Sequence, residues 1–166
     1  MRRFEYGVDL LVMSRKQAED FYAVETNGEV PCISVTDPGA PEADLRYCED
    51  ALRLQFHDVE RDDVAGMSHG LRPMTPQQAE RVARFADAAK GPLVVHCEAG
   101  ASRSAGIAAG LLALNPESDE AGLYRETCPN ATCQVRVMRA ALRLEHAKKA
   151  IAKRNRKGVE GHAVSR

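Results

Sequence analysis

The segment His96-Cys97-Glu98-Ala99-Gly100-Ala101-Ser102-Arg103-Ser104 constrains this chain more than any other. The apolar run Pro92-Leu93-Val94-Val95 leads into it and reads as a buried strand. The small, apolar run from Ser104 to Leu112 leads out of it and reads as a buried helix. A short loop therefore joins a strand end to a helix N-terminus. Backbone N–H groups without partners converge at such a place, and the helix dipole favours an anion there.

The residue types fit a phosphate. A tight loop presents successive N–H groups to an anion, here those of Glu98, Ala99, Gly100, Ala101, Ser102 and Arg103. Gly100 allows a bend at which a Cβ would clash. The planar fork of Arg103 is able to grip two phosphate oxygens. Cys97 starts the loop, facing the same N–H groups and the helix N-terminus, and these favour the thiolate. A thiolate beneath a phosphate monoester is placed for in-line attack on phosphorus. The Ser104 hydroxyl is placed to donate to the sulfur and so to help the thiolate depart from a thiophosphate intermediate. A buried, inert cysteine beside a surface arginine is the blander alternative, but it does not account for the whole pattern.

His-Cys-x-x-Gly-x-x-Arg-Ser resembles the signature of the cysteine-dependent protein tyrosine phosphatases, and the length is similar to the compact, bacterial-like dual-specificity type. The resemblance covers roughly Leu52 to Leu114, with fainter similarity on both flanks. It implies a phosphomonoester hydrolase that forms a phosphocysteine on Cys97, with no cofactor and no metal. It implies binding of the transferred group by Arg103 and the loop N–H groups, and a supporting, loop-ordering role for His96. It also implies a general acid: an aspartate after the preceding strand, some thirty-odd residues before the cysteine. Asp58 directly follows the strand pattern Leu52–Phe56, although its 39-residue spacing to Cys97 is slightly long. Asp62 and Asp63 fit the spacing better but not the strand context. Asp58 is the first choice, and Asp62 and Asp63 are the alternatives. Like-charge repulsion from a bound phosphate favours the protonated carboxyl such a step needs. All three are also ordinary loop aspartates by composition. Gly66, Gly70 and the length of the loop suit a lid over the substrate. Glu98, beside the nucleophile, would oppose phosphate binding if it faced inward, so its carboxylate is expected to point outward or to pair with a cation.

Strand and helix patterns alternate along the chain. Strands are predicted at Val8–Met13, Val30–Val35, Leu52–Phe56 and Pro92–Val95. Helices are predicted from a Ser14 cap to Ala23, from a Thr75-Pro76 start to Ala89, from Ser104, from Ser118 to Glu126, and from Pro129 to about Lys149. Thr36-Asp37-Pro38-Gly39 reads as a turn. The predicted fold is α/β: a single domain with a central, mostly parallel sheet of about four to five strands flanked by helices. Residues 1–150 are assigned to the domain and 151–166 to a basic, flexible tail.

Composition narrows the partners. The chain has 166 residues, 44% of them hydrophobic, enough for one core. With 23 basic and 24 acidic residues, net charge −1, nothing favours a nucleic-acid or membrane surface overall. The basic run Lys148–Lys157 reads as a solvated helix end. No apolar run approaches a membrane span, and Met1-Arg2-Arg3-Phe4-Glu5 lacks the apolar core of a signal peptide. Five scattered cysteines fit a reducing, cytoplasmic setting. Cys128 and Cys133 lack two further ligands that would make a zinc site.

The expected substrate is a phosphorylated protein or a small phosphomonoester. In the resembled family, members that use polyanionic head groups tend to carry lysines inside the loop. This loop has none, which tilts toward a phosphoprotein or small phosphomonoester, with a non-protein phosphomonoester such as a phosphoinositide or RNA 5′-phosphate as an alternative. A non-catalytic module that only holds phosphorylated partners is the alternative from another class, and it would have no use for the thiol. Low-molecular-weight tyrosine phosphatases and arsenate reductases carry their loop near the N-terminus, whereas here it lies past mid-chain. Rhodanese-like phosphatases are a more distant alternative, since they supply no clear acid of this kind.

Overall fold

The computed structural model describes residues 2–6, 8–60, 70–115, 118 and 120–163. The strands are β1 (Arg2–Tyr6), β2 (Val8–Ser14), β3 (Cys32–Thr36), β4 (Ala51–Gln55) and β5 (Leu93–Cys97). The helices are α1 (Arg15–Tyr22), α2 (Pro76–Ala88), α3 (Arg103–Leu112), α4 (Glu120–Glu126) and α5 (Ala131–Ala163), with a 3-10 turn at Glu25–Asn27. The five strands form one sheet in the order β1-β2-β5-β3-β4. β2, β5, β3 and β4 run parallel, and β1 pairs antiparallel with β2 at the edge. This is the predicted architecture, a mostly parallel α/β sheet in a single domain. No helix among the described residues is long and apolar enough to cross a membrane.

β5 is central and buried along its whole length. Parallel strands covered on both faces read as continuous apolar runs, which is why Leu93-Val94-Val95 shows no alternation. Side chains on one face of the sheet, including Leu10, Val12, Ile33, Val35 and Val95, pack with α2, α3 and α5. Those on the other face, Leu11, Met13, Cys32 and Val94, pack with Ala18 and Tyr22 of α1. Tyr22 is fully buried and donates its hydroxyl to the carbonyl of Val30 at 2.7 Å.

Local signals set the helix starts. Ser14 Oγ accepts from the N–H of Gln17, and Gln17 Oε1 accepts from the N–H of Ser14. Thr75 and Gln78 repeat this reciprocal cap, with Pro76 in the first turn. Every residue of α3 is buried, so the helix is built from small residues that admit close neighbours. A Cβ on Gly106 would stand 2.5 Å from the backbone oxygen of Asn130. The absence of that atom lets α5 begin directly against α3.

Two differences from the sequence reading stand out. β1 was not anticipated, because a short segment with charges between its apolar residues gives no clear strand signal, and pairing with β2 decides it. α5 runs to Ala163, well past Lys149. Burial ends before the helix does: side chains from Glu145 to Arg156 are exposed. Alanine, lysine and arginine are strong helix formers, so charge marks the end of packing rather than of the helix.

The α3–α5 approach predicts a reversal of the usual alanine preference. At an open helical site Gly→Ala stabilises by about 1 kcal/mol. Gly106→Ala should instead destabilise by about 1–3 kcal/mol, as overpacking does. Urea unfolding of both forms measures the difference, and a stabilised variant would contradict the packing described.

Candidate active site

Parallel order places the carboxyl ends of β2, β5, β3 and β4 on one edge of the sheet, where ligand sites of open α/β sheets lie. Cys97 ends β5 and is 2% exposed. Its Sγ lies 3.1 Å from the Oγ of Ser104, itself fully buried in the first turn of α3. Gly100 has φ +71°, and a Cβ there would stand 2.5 Å from the backbone nitrogen of Ser14. The loop thus turns in a conformation that favours glycine while pressed against the β2–α1 junction. No side chain caps the N-terminus of α3.

Arg103 is 4% exposed. Its Nη1 donates to Asp37 Oδ1 at 2.7 Å and to the carbonyl of Phe56 at 2.9 Å. Asp37 follows β3 and Phe56 follows β4, so the guanidinium is held from the ends of two strands. Its Nε is buried without a hydrogen-bond partner among the described residues, and Oδ2 of Asp58 is 4.0 Å from it. A buried guanidinium with one edge paired and another unpaired is suited to receive an oxyanion.

Asp58 lies at this same loop. Its Oδ1 accepts from Ser102 Oγ at 2.7 Å and from Asn130 Nδ2 at 3.1 Å. The start of the Asp58 segment is fixed by His57, whose N–H donates to Arg72 O at 2.7 Å and whose Nδ1 accepts from the Arg72 N–H at 2.9 Å. Asp62, Asp63 and Gly66 lie outside the described residues.

The flanking residues are also placed. His96 is fully buried, with Nε2 2.8 Å from Ser34 Oγ on β3. Burial pushes its pKa down to about 4, so the imidazole is neutral near pH 7. The Glu98 side chain is mostly exposed, with Oε2 3.7 Å from Arg15 Nη1. The Arg15 N–H also donates to the Glu98 carbonyl at 3.1 Å, which ties α1 to the loop. On the other side, the carbonyls of Ala101 and Ser102 accept from the N–H groups of Cys128 and Asn130 at 3.0 and 3.1 Å. All five cysteines are free thiols.

The structure therefore brings Cys97, Arg103, Ser104 and Asp58 together around one loop. Sequence reasoning missed two residues in the same cluster. In the sequence Asp37 belongs only to a turn signal, although an acid just after a parallel strand lies on this edge of the sheet. Asn130 gives no sequence signal beyond that of a helix start.

No protein-family model matches the sequence, and no curated protein matches it. Solved structures do resemble the fold. Human DUSP28 superposes with a TM-score of 0.56 at 16% identity, covering 86% of this chain and 96% of that one. The human tyrosine phosphatase-like serine/threonine/tyrosine-interacting protein gives 0.57 at 15%, covering 82% and 93%. A mouse putative dual specificity phosphatase complexed with zinc tungstate gives 0.54 at 13%, covering 88% and 90%. The chain has the fold of these compact phosphatase domains.

Neutral, buried His96 predicts a pH signature. Its value is lowered from 6.5 to about 4, so between these pH values the unfolded chain binds a proton that the folded one does not. Its contribution is complete above pH 6.5 and is lost as pH falls toward 4, by about 3 kcal/mol in total. Unfolding free energies for wild type and His96→Gln across this window should show a shallower slope in the variant. Equal slopes would contradict the assignment.

Proposed function

We propose that this protein is a cysteine-dependent phosphomonoester hydrolase of the dual-specificity type, acting on a phosphorylated protein or small phosphomonoester. The observation that most supports the reading is the meeting of Cys97, Ser104, Arg103 and Asp58 at one loop, with Sγ 3.1 Å from Ser104 Oγ and Asp58 Oδ2 4.0 Å from Arg103 Nε. A fold likeness alone carries no activity, since one fold hosts many functions.

In this reading the phosphate sits in the loop, its equatorial oxygens held by N–H groups from Glu98 to Arg103 and by the guanidinium of Arg103. The Cys97 thiolate attacks phosphorus as the P–O bond to the leaving group breaks. Asp58 gives its proton to the leaving oxygen. The product is a phosphocysteine and a free alcohol or phenol. Asp58, now a carboxylate, takes a proton from water as water attacks phosphorus. Inorganic phosphate leaves and the Cys97 thiolate is restored, with Ser104 donating to the sulfur as negative charge returns to it. Charge developing on the phosphoryl oxygens is met by fixed donors that need little reorganisation.

Asp37 has a supporting part. Holding one guanidinium nitrogen restricts the rotamer freedom of a long side chain before substrate arrives, so less ordering remains to be done on binding.

Hydrolysis of para-nitrophenyl phosphate with EDTA and reductant present tests the reading. Wild type should turn over, and Cys97→Ser should lose at least about 1,000-fold while still binding phosphate or vanadate. Arg103→Lys should lose both binding and rate, because an ammonium offers no planar fork. Absence of turnover in wild type with vanadate still bound would favour the phosphate-holding alternative. A thiol-independent rate would overturn the mechanism.

A further inference from the structure

Asn130 is 4% exposed, and each of its polar groups has a partner. Its backbone N–H donates to the carbonyl of Ser102, in the phosphate-binding loop, at 3.1 Å. Its own carbonyl accepts from the N–H of Gln134 at 3.0 Å. Its Oδ1 accepts from the N–H of Cys133 at 3.0 Å, capping α5. That bond fixes the orientation of the amide and turns Nδ2 the other way. Nδ2 then donates to Asp58 Oδ1 at 3.1 Å, with the carbonyl of Val59 3.5 Å away. The missing Cβ of Gly106 makes room for the Asn130 backbone in this position.

The two oxygens of Asp58 are consequently unlike. Oδ1 takes two donors, Ser102 Oγ at 2.7 Å and Asn130 Nδ2 at 3.1 Å. Oδ2 lies on the Arg103 side, 4.0 Å from Nε. A carboxyl oxygen already accepting two hydrogen bonds is a poor place for a proton, because the proton would face two other hydrogens. The geometry points to Asn130 as a positioning residue for acid catalysis: with Ser102 it holds Asp58 Oδ1, so that the transferable proton resides on Oδ2, facing the leaving oxygen. This inference rests on the proposed role of Asp58. The proton moves from Oδ2 to the leaving oxygen as the P–O bond breaks, and in the second step Oδ2 takes a proton from the attacking water. Asn130 exchanges no proton and touches no substrate.

The role separates from simple support of the fold. Asn130→Ser retains a capping oxygen for α5 but removes the amide donor. Ser102→Ala removes the other donor and leaves the cap alone. The measurement is kcat/KM over a series of aryl phosphates from para-nitrophenyl phosphate to phenyl phosphate. It is made for wild type, Asn130→Ser, Ser102→Ala, Asp58→Asn, and Asn130→Ser in the Asp58→Asn background. Acid catalysis matters most when the leaving group is poor. Asn130→Ser should lose about tenfold more on phenyl phosphate than on para-nitrophenyl phosphate, with Ser102→Ala changing in the same direction. In the Asp58→Asn background it should add less than about twofold, because it acts through that carboxyl. An equal loss on every substrate, or an undiminished loss in the Asp58→Asn background, would overturn the inference while leaving the acid role of Asp58 intact. If Asn130→Ser does not fold, Ser102→Ala decides, and a flat leaving-group profile for it overturns the inference. A flat profile for Asp58→Asn itself would remove the acid assignment and this inference together.

Discussion

A guanidinium buried to the degree of Arg103 is stable only when its charge is met, and this one is met from two separate strands. Asp37 supplies the carboxylate from the end of β3, and Phe56 supplies a carbonyl from the end of β4. Arg103 itself opens α3, directly after the loop that follows Cys97. One side chain thus ties together three connections that leave the same edge of the sheet. Disturbing any of them moves the cation, and with it the best candidate for holding a phosphate. Beside this clamp, Nε has no hydrogen-bond partner among the described residues, and Asp58 Oδ2 lies 4.0 Å from it.

The other half of the site depends on close packing rather than charge. α3 is buried along its whole length and contacts α5 at glycine, where no side chain intervenes. This closeness carries the start of α5 to the loop, so that Asn130 and the N–H of Cys128 meet its carbonyls. The same Asn130 reaches the Asp58 segment. A helix far along the chain is therefore coupled to both the loop and the candidate acid through a few short hydrogen bonds. The buried, neutral His96 adds a third attachment, joining the end of β5 to Ser34 on β3.

Local interactions were legible in the sequence. The caps at Ser14 and Thr75, the apolar run of β5 and the small residues of α3 each follow from rules that act over a few residues. Together they fixed the strand–loop–helix unit and its turn at Gly100, and alternation of such units implied a mostly parallel sheet. β1 escaped because an edge strand acquires its identity from its neighbour. The far end of α5 has no packing signal to mark it, because the basic stretch is helical but exposed.

Strand context made Asp58 the first choice among the loop acids, but nothing local revealed Asp37 and Asn130 as neighbours of the same loop. Asp37 precedes Arg103 by 66 positions and Asn130 follows Asp58 by 72, separations over which local rules say nothing. The sequence by itself determined the chemistry on offer: a thiol, an arginine and a turn that requires glycine, set between a strand end and a helix start. Only the tertiary structure showed that Asp37 and Asp58 face that loop. Strand order and the α3–α5 approach bring distant segments within hydrogen-bonding distance, and those are properties of how elements pack, not of any stretch of residues.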